Sequence, residues 1–155
     1  MLNAPISASL DIETMTILLN EKAKTKIEQL AQKYNLELVL LFGSQVTGKV
    51  HKESDYDIGY VSARKLDLDD EGRLINDLMG VVGVDDERFI NLVNIKKANP
   101  LLLYAITSSC QVLYEKEPTV FARLRAFAFK QYVETKPLYE EKARRLREAI
   151  GAKTL

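Results

Sequence analysis

The sequence predicts an α/β (α+β) fold: a small mixed β-sheet flanked by helices, with a helical C-terminal tail. Leu36–Phe42 is an apolar run of strand length, continuous rather than alternating, as expected of a strand buried on both faces. Strand-like and helix-period segments then alternate as far as Tyr114, and from Thr119 onward only helical spacing remains.

Each element has its own signal. From about Met15 to Tyr34, Leu18, Leu19, Ala23, Ile27, Leu30 and Ala31 recur at three- and four-residue steps among lysines and glutamates, the pattern of an amphipathic helix that Asn35 ends. The strand Leu36–Phe42 follows. Residues Gly43–Ser54, with two glycines and many polar residues, read as a loop with a short helical piece after Ser44. Asp55–Ser62, rich in tyrosine, isoleucine and valine, reads as a second strand.

Leu68, Gly72, Ile75, Leu78, Met79 and Val82 mark a helix within Leu66–Val82, opened by acidic residues and stopped near Gly80 or Gly83. Arg88–Ile95 is a third strand. Asn99 caps and Pro100 opens a short helix, Leu101–Ser108. Gln111–Tyr114 is a short fourth strand. Thr119 caps a long helix to about Glu134, and a last helix runs from about Pro137 to Ala149. The expected division is an arm over 1–14, a domain over 15–117, and C-terminal helices over 118–155 that pack on the domain, a partner, or both.

Composition bounds the function. The 155 residues suit one domain, and 46% hydrophobic with 28% charged residues is ordinary globular usage. Lys plus Arg balances Asp plus Glu at 22 each, so the basic footprint of a direct nucleic-acid binder is missing. One cysteine, Cys110, and one histidine, His51, build neither a disulfide nor a Cys/His metal cluster. The N-terminus has no basic start and apolar core of a secretion signal, and no apolar run approaches a membrane span, which makes the cytoplasm the expected compartment.

The chemistry concentrates in LFGSQVTGKVHKESDYDIGYV. Asp55 and Asp57 alternate along a strand, point to one face, and either repel or share a cation. Magnesium takes a few carboxylates plus a substrate's phosphate oxygens, so a rigid Asp-x-Asp suits it. Glycine at a strand end leaves room for a backbone N–H, and Ser44 a hydroxyl, to approach a triphosphate. Glu53 stays outside the pair, and Tyr56 alternates to the opposite, packed face. His51 reads as a solvated loop histidine.

Gly43-Ser44, ten residues, then Asp55-x-Asp57 resembles the signature of the polymerase-beta-like nucleotidyltransferase superfamily, and more narrowly its minimal nucleotidyltransferase branch. The resemblance spans roughly Leu18 to Tyr114 and implies the nucleotidyltransferase fold. It implies Mg2+ on Asp55 and Asp57, and ATP as substrate held by Gly43, Ser44, Gly48 and Ser54. In INLVNIKKA, Ile90–Ala98, Asn91 stands where the third catalytic aspartate is expected; an amide adds no charge and cannot act as a base. Asp85, Asp86 and Glu87, just before this strand, are the candidates to compensate. Thr47 replaces the arginine often found before the second glycine, a charge that Lys49, Lys52 or Arg64 can replace.

In Phe121–Ile150, Phe121, Leu124, Phe127 and Ala128 read as an apolar stripe over the sheet. Arg144, Arg145 and Arg147, with Tyr132 and Tyr139, read either as solvated or as partner-docking residues. The phrase QYVETKPLYEEKARRL resembles the C-terminal region of minimal nucleotidyltransferases encoded beside HEPN-domain proteins. That likeness implies an antitoxin that transfers AMP to a tyrosine of an HEPN ribonuclease toxin, forms a complex with it, or both. The alternative is a silent member of the fold that neutralises its partner by complex formation alone. Transfer to a small molecule such as an aminoglycoside needs a pocket that this short tail is poorly able to build.

Overall fold

The computed structural model describes residues 20–43, 46 and 55–153. The arm over 1–14, the expected helix start with Leu18 and Leu19, and the loop residues Ser44, Thr47, Gly48, Lys49, His51, Lys52, Glu53 and Ser54 lie outside the described residues. In chain order the elements are α1 (Glu21–Tyr34), β1 (Leu36–Phe42), β2 (Tyr56–Ser62), α2 (Leu68–Val82), β3 (Ile90–Asn94), α3 (Pro100–Ser108), β4 (Cys110–Glu115) and α4 (Val120–Lys153).

The helix ends follow local chemistry. The Asn20 side chain accepts from the Ala23 N–H at 2.7 Å, and Asn35 closes α1 in the left-handed region at φ 56°. Asp67 caps α2, and Gly83, at φ 78°, ends it. Asn99 caps α3 with Pro100 in its first turn.

The sheet is four-stranded in the order β3-β2-β1-β4 and mixed: β1 pairs antiparallel with β2 and β4, and β2 pairs parallel with β3. Alternation on β1 divides its apolar residues between two cores. Leu36, Val39 and Leu41 join Ile58, Tyr60, Leu74, Leu78 and Ile90 beneath α1 and α2. Leu38 and Leu40 join Val61, Ile95, Leu103, Ile106 and Ala128 beneath α3 and α4. Burial on both faces explains why the run is continuous. Leu40 is 0% exposed, so Leu40→Ala should cost about 2–5 kcal/mol, read as a lowered denaturant midpoint with an unchanged slope.

Three expectations need correction. The third strand is shorter than Arg88–Ile95, because Glu87–Phe89 and Ile95–Lys97 wind into 3-10 turns on either side of it. The two C-terminal helices are one, α4, of 34 residues with Pro137 inside. Proline removes an N–H and crowds the carbonyl four residues back. Here that residue, Val133, is 51% exposed, Pro137 is exposed too, and water can take the freed carbonyl. Phe127 is also not part of the covering stripe, being 53% exposed; Phe121, Leu124 and Ala128 face the core.

The docking residues expected on α4 are partly engaged within the chain. Tyr132 stacks on Tyr104 of α3 with ring centroids 3.9 Å apart. Arg144 pairs with Glu141 and Glu148, and Arg145 with Glu141. Leu138 and Leu146 are exposed. Among the described residues, no helix is long and apolar enough to cross a membrane.

Candidate nucleotide site

The end of β1, the start of β2 and the start of β3 come together at one end of the sheet. Phe42 pairs with Asp57, and Asp57 pairs with Asn91 in parallel register. Tyr56 and Ile58 pack into the core under α1 and α2, so alternation turns Asp57 to the opposite face. Gly59, two residues on, lies against Ile95 on that same face. Asp55 stands immediately before β2, exposed, two positions from Asp57.

Asn91 Nδ2 donates to Asp57 Oδ1 at 2.8 Å. The other carboxylate oxygen faces Gly43. A Cβ built at Gly43 would lie 2.0 Å from Asp57 Oδ2 and 3.0 Å from its Cγ, and the backbone there has φ 75°. Both the space and the backbone angle therefore require glycine. The Val46 N–H donates to the Gly43 carbonyl at 3.1 Å, so the chain reverses as it leaves β1.

The structure thus brings Gly43, Asp57 and Asn91 together, with Asp55 beside them. Ser44, Gly48 and Ser54, the other nucleotide-binding residues expected from the sequence, lie outside the described residues. Arg64 does not replace the missing loop arginine: it follows the far end of β2 and pairs with Asp70 at 2.7 Å. Among the described residues, no three His, Cys, Asp or Glu side chains converge on one cation position. Asp85, Asp86 and Glu87 therefore do not complete a triad with Asp55 and Asp57.

Tyr56 is a packing residue, partly buried, and burial raises its phenol above the ordinary value, which keeps it neutral. Sequence reasoning left one neighbour out. Cys110 pairs with Phe42 at the same end of the sheet, half-buried. Burial pushes its thiol up, against a smaller opposing pull from Arg125. Native protein should therefore react slowly with a thiol-specific alkylating reagent near neutral pH and at the ordinary rate once unfolded, measured by mass spectrometry.

The resemblance carried by the Gly-Ser and Asp-x-Asp spacing implies magnesium, and the donor set can be tested against it. Asp55 and Asp57 offer only oxygen, the donor a hard cation prefers, and Asn91 beside Asp57 carries a neutral amide. Two carboxylates that leave the remaining positions to water and phosphate oxygens fit one magnesium ion.

Comparisons with known proteins agree with this architecture. The family model "Polymerase beta, Nucleotidyltransferase" matches residues 25–119. Among solved structures, the chain is similar to one from a toxin-antitoxin crystallised with AMP-PNP: 22% identity, TM-score 0.64, covering 82% of this chain and 98% of that one. It is also similar to a chain of the toxin-antitoxin MntA-HepT, at 20% identity, 84% and 99% coverage, and TM-score 0.60. A third comes from the tri-AMPylated Shewanella oneidensis HEPN toxin in complex with MNT antitoxin, at 19% identity, 82% and 95% coverage, and TM-score 0.58. At these identities the likeness is one of fold. No curated protein matches the chain. With the family model spanning the sheet and the residues around Asp55 and Asp57, the chain belongs to the polymerase beta nucleotidyltransferase family.

Proposed function

We propose that this chain is a magnesium-dependent nucleotidyltransferase that moves AMP from ATP onto a tyrosine of an HEPN-domain toxin, and so acts as the antitoxin of a cytoplasmic pair. The observation that carries the reading is the meeting of Gly43, Asp57 and Asn91 at the end of the sheet, with Asp55 alongside. The likeness of fold to chains from toxin-antitoxin complexes, one with AMP-PNP and one with an AMPylated HEPN toxin, supports the choice of nucleotide and partner.

In this reading the Gly43 N–H and the Ser44 hydroxyl take the triphosphate, and Gly48 and Ser54 are the further nucleotide-binding residues. Asp55 and Asp57 hold Mg2+, which when bound neutralises charge on the phosphate oxygens. The tyrosine oxygen forms a bond to the α-phosphorus, the bond to pyrophosphate breaks, and the electron pair leaves with pyrophosphate. The phenol must shed its proton. Asn91 cannot accept it, so among the described residues at this end of the sheet a carboxylate, Asp55 or Asp57, takes it.

Asn91 also favours a second reading, in which the protein holds its partner without modifying it. The two separate when the chain, ATP and Mg2+ are incubated with an HEPN-domain protein from the same genome. A mass gain of one AMP, lost when the acceptor tyrosine is changed to phenylalanine, supports transfer. A tight complex whose partner stays unmodified contradicts it.

A further inference from the structure

We propose that Asn91 is a positioning residue for Asp57, fixing that carboxylate with a neutral N–H, and so limiting the site to the one cation that Asp55 and Asp57 hold. The inference rests on the nucleotide-site reading above and deepens it. Asp57 and Asn91 face each other across adjacent parallel strands, with Nδ2 and Oδ1 2.8 Å apart. A hydrogen bond to an ionised acceptor is among the strong ones.

The other side of the carboxylate is fixed too. Asp57 Oδ2 lies where a Cβ on Gly43 would stand, at 2.0 Å. Asp57 is therefore held between a donor and a glycine wall, and neither contact depends on metal. A carboxylate at position 91 would place two anions at hydrogen-bond distance, an arrangement relieved by a shared proton or a shared cation, and in nucleotide-loaded protein the metal competes for that place. The amide removes that demand. It donates to Asp57 and, being neutral, brings no charge that would hold another ion.

The test uses the full chain with AMP-PNP and Mn2+ as the probe, read by electron paramagnetic resonance and by titration of bound metal. Wild type should bind one Mn2+ per nucleotide-loaded chain. Asn91→Asp should bind two and show the spin coupling of a close pair. Asn91→Ala should stay at one, with affinity lowered by about 10–100-fold because Asp57 has lost its orienting donor. Asn91 is exposed, and circular dichroism checks that each variant keeps its fold.

Two ions on wild type would overturn the inference, as would an Asn91→Asp protein that still binds one. Unchanged affinity in Asn91→Ala would overturn the positioning role. These failures leave nucleotide binding intact. Loss of AMP-PNP binding by wild type is a different result, visible by calorimetry without metal readout, and would overturn the nucleotide-site reading together with the inference.

Discussion

Asp57→Asn should sharply slow the proposed AMP transfer while leaving the fold and the melting temperature nearly unchanged. Asp57 is partly exposed on the sheet face away from the α1/α2 core, so the substitution creates no cavity. It keeps the side-chain volume and replaces an ionised oxygen with a neutral group, next to the Asn91 amide 2.8 Å away. What is lost is charge for holding a cation against the triphosphate. Such charge stabilisation is worth several kcal/mol in a transition state, or a loss on the order of 1,000-fold at one decade per 1.36 kcal/mol. Initial rates with labelled ATP and an HEPN-domain protein from the same genome measure it. Asp55→Asn should act in the same direction, since it removes the other carboxylate.

Gly43→Ala should also be damaging, by a different route. The added methyl lands 2.0 Å from Asp57 Oδ2 and 3.3 Å from its Cβ, so the carboxylate must swing away. The φ of 75° also strains any residue with a side chain, by about 1–2 kcal/mol. Misplacing a reacting group by about 1 Å can cost on the order of 100-fold in rate. Both the rate and the affinity for ATP should fall, with a modest drop in melting temperature. Calorimetry with AMP-PNP separates this from Asp57→Asn, whose affinity loss should depend on metal.

Much of this architecture was legible because local rules and tertiary packing agree. The strand Leu36–Phe42 has the bounds its composition implies, and Asn35, Gly83 and Asn99 stand where helix ends need them. The Gly-Ser and Asp-x-Asp spacing pointed to one end of one sheet, where the chain does bring Gly43 and Asp57 together. Other features depend on contacts distant in sequence. The pairing of Asn91 with Asp57 is a matter of parallel register, which periodicity along either strand does not encode. The resemblance of INLVNIKKA to a known strand, rather than any local pattern, marked the position. Gly59 leaves space for Ile95, a contact with no signal in the strand's own composition.

Pro137 shows the reverse conflict. A rule for helix interiors broke the tail in two, but the rule prices a lost hydrogen bond that an exposed helix can replace with water. Phe127 misled in the same region. Three residues beyond Leu124 it sits about 60° off the covered stripe, enough to turn it to solvent.

Crystals of the chain grown with AMP-PNP and Mn2+, with anomalous scattering collected for the metal, test the account most directly. The expected result is one Mn2+ peak at the Asp55 and Asp57 carboxylates, a phosphate within hydrogen-bond reach of the Gly43 N–H, and Asn91 Nδ2 still on Asp57. A nucleotide bound elsewhere, or phosphates at this end of the sheet with no metal on Asp55 or Asp57, would contradict it.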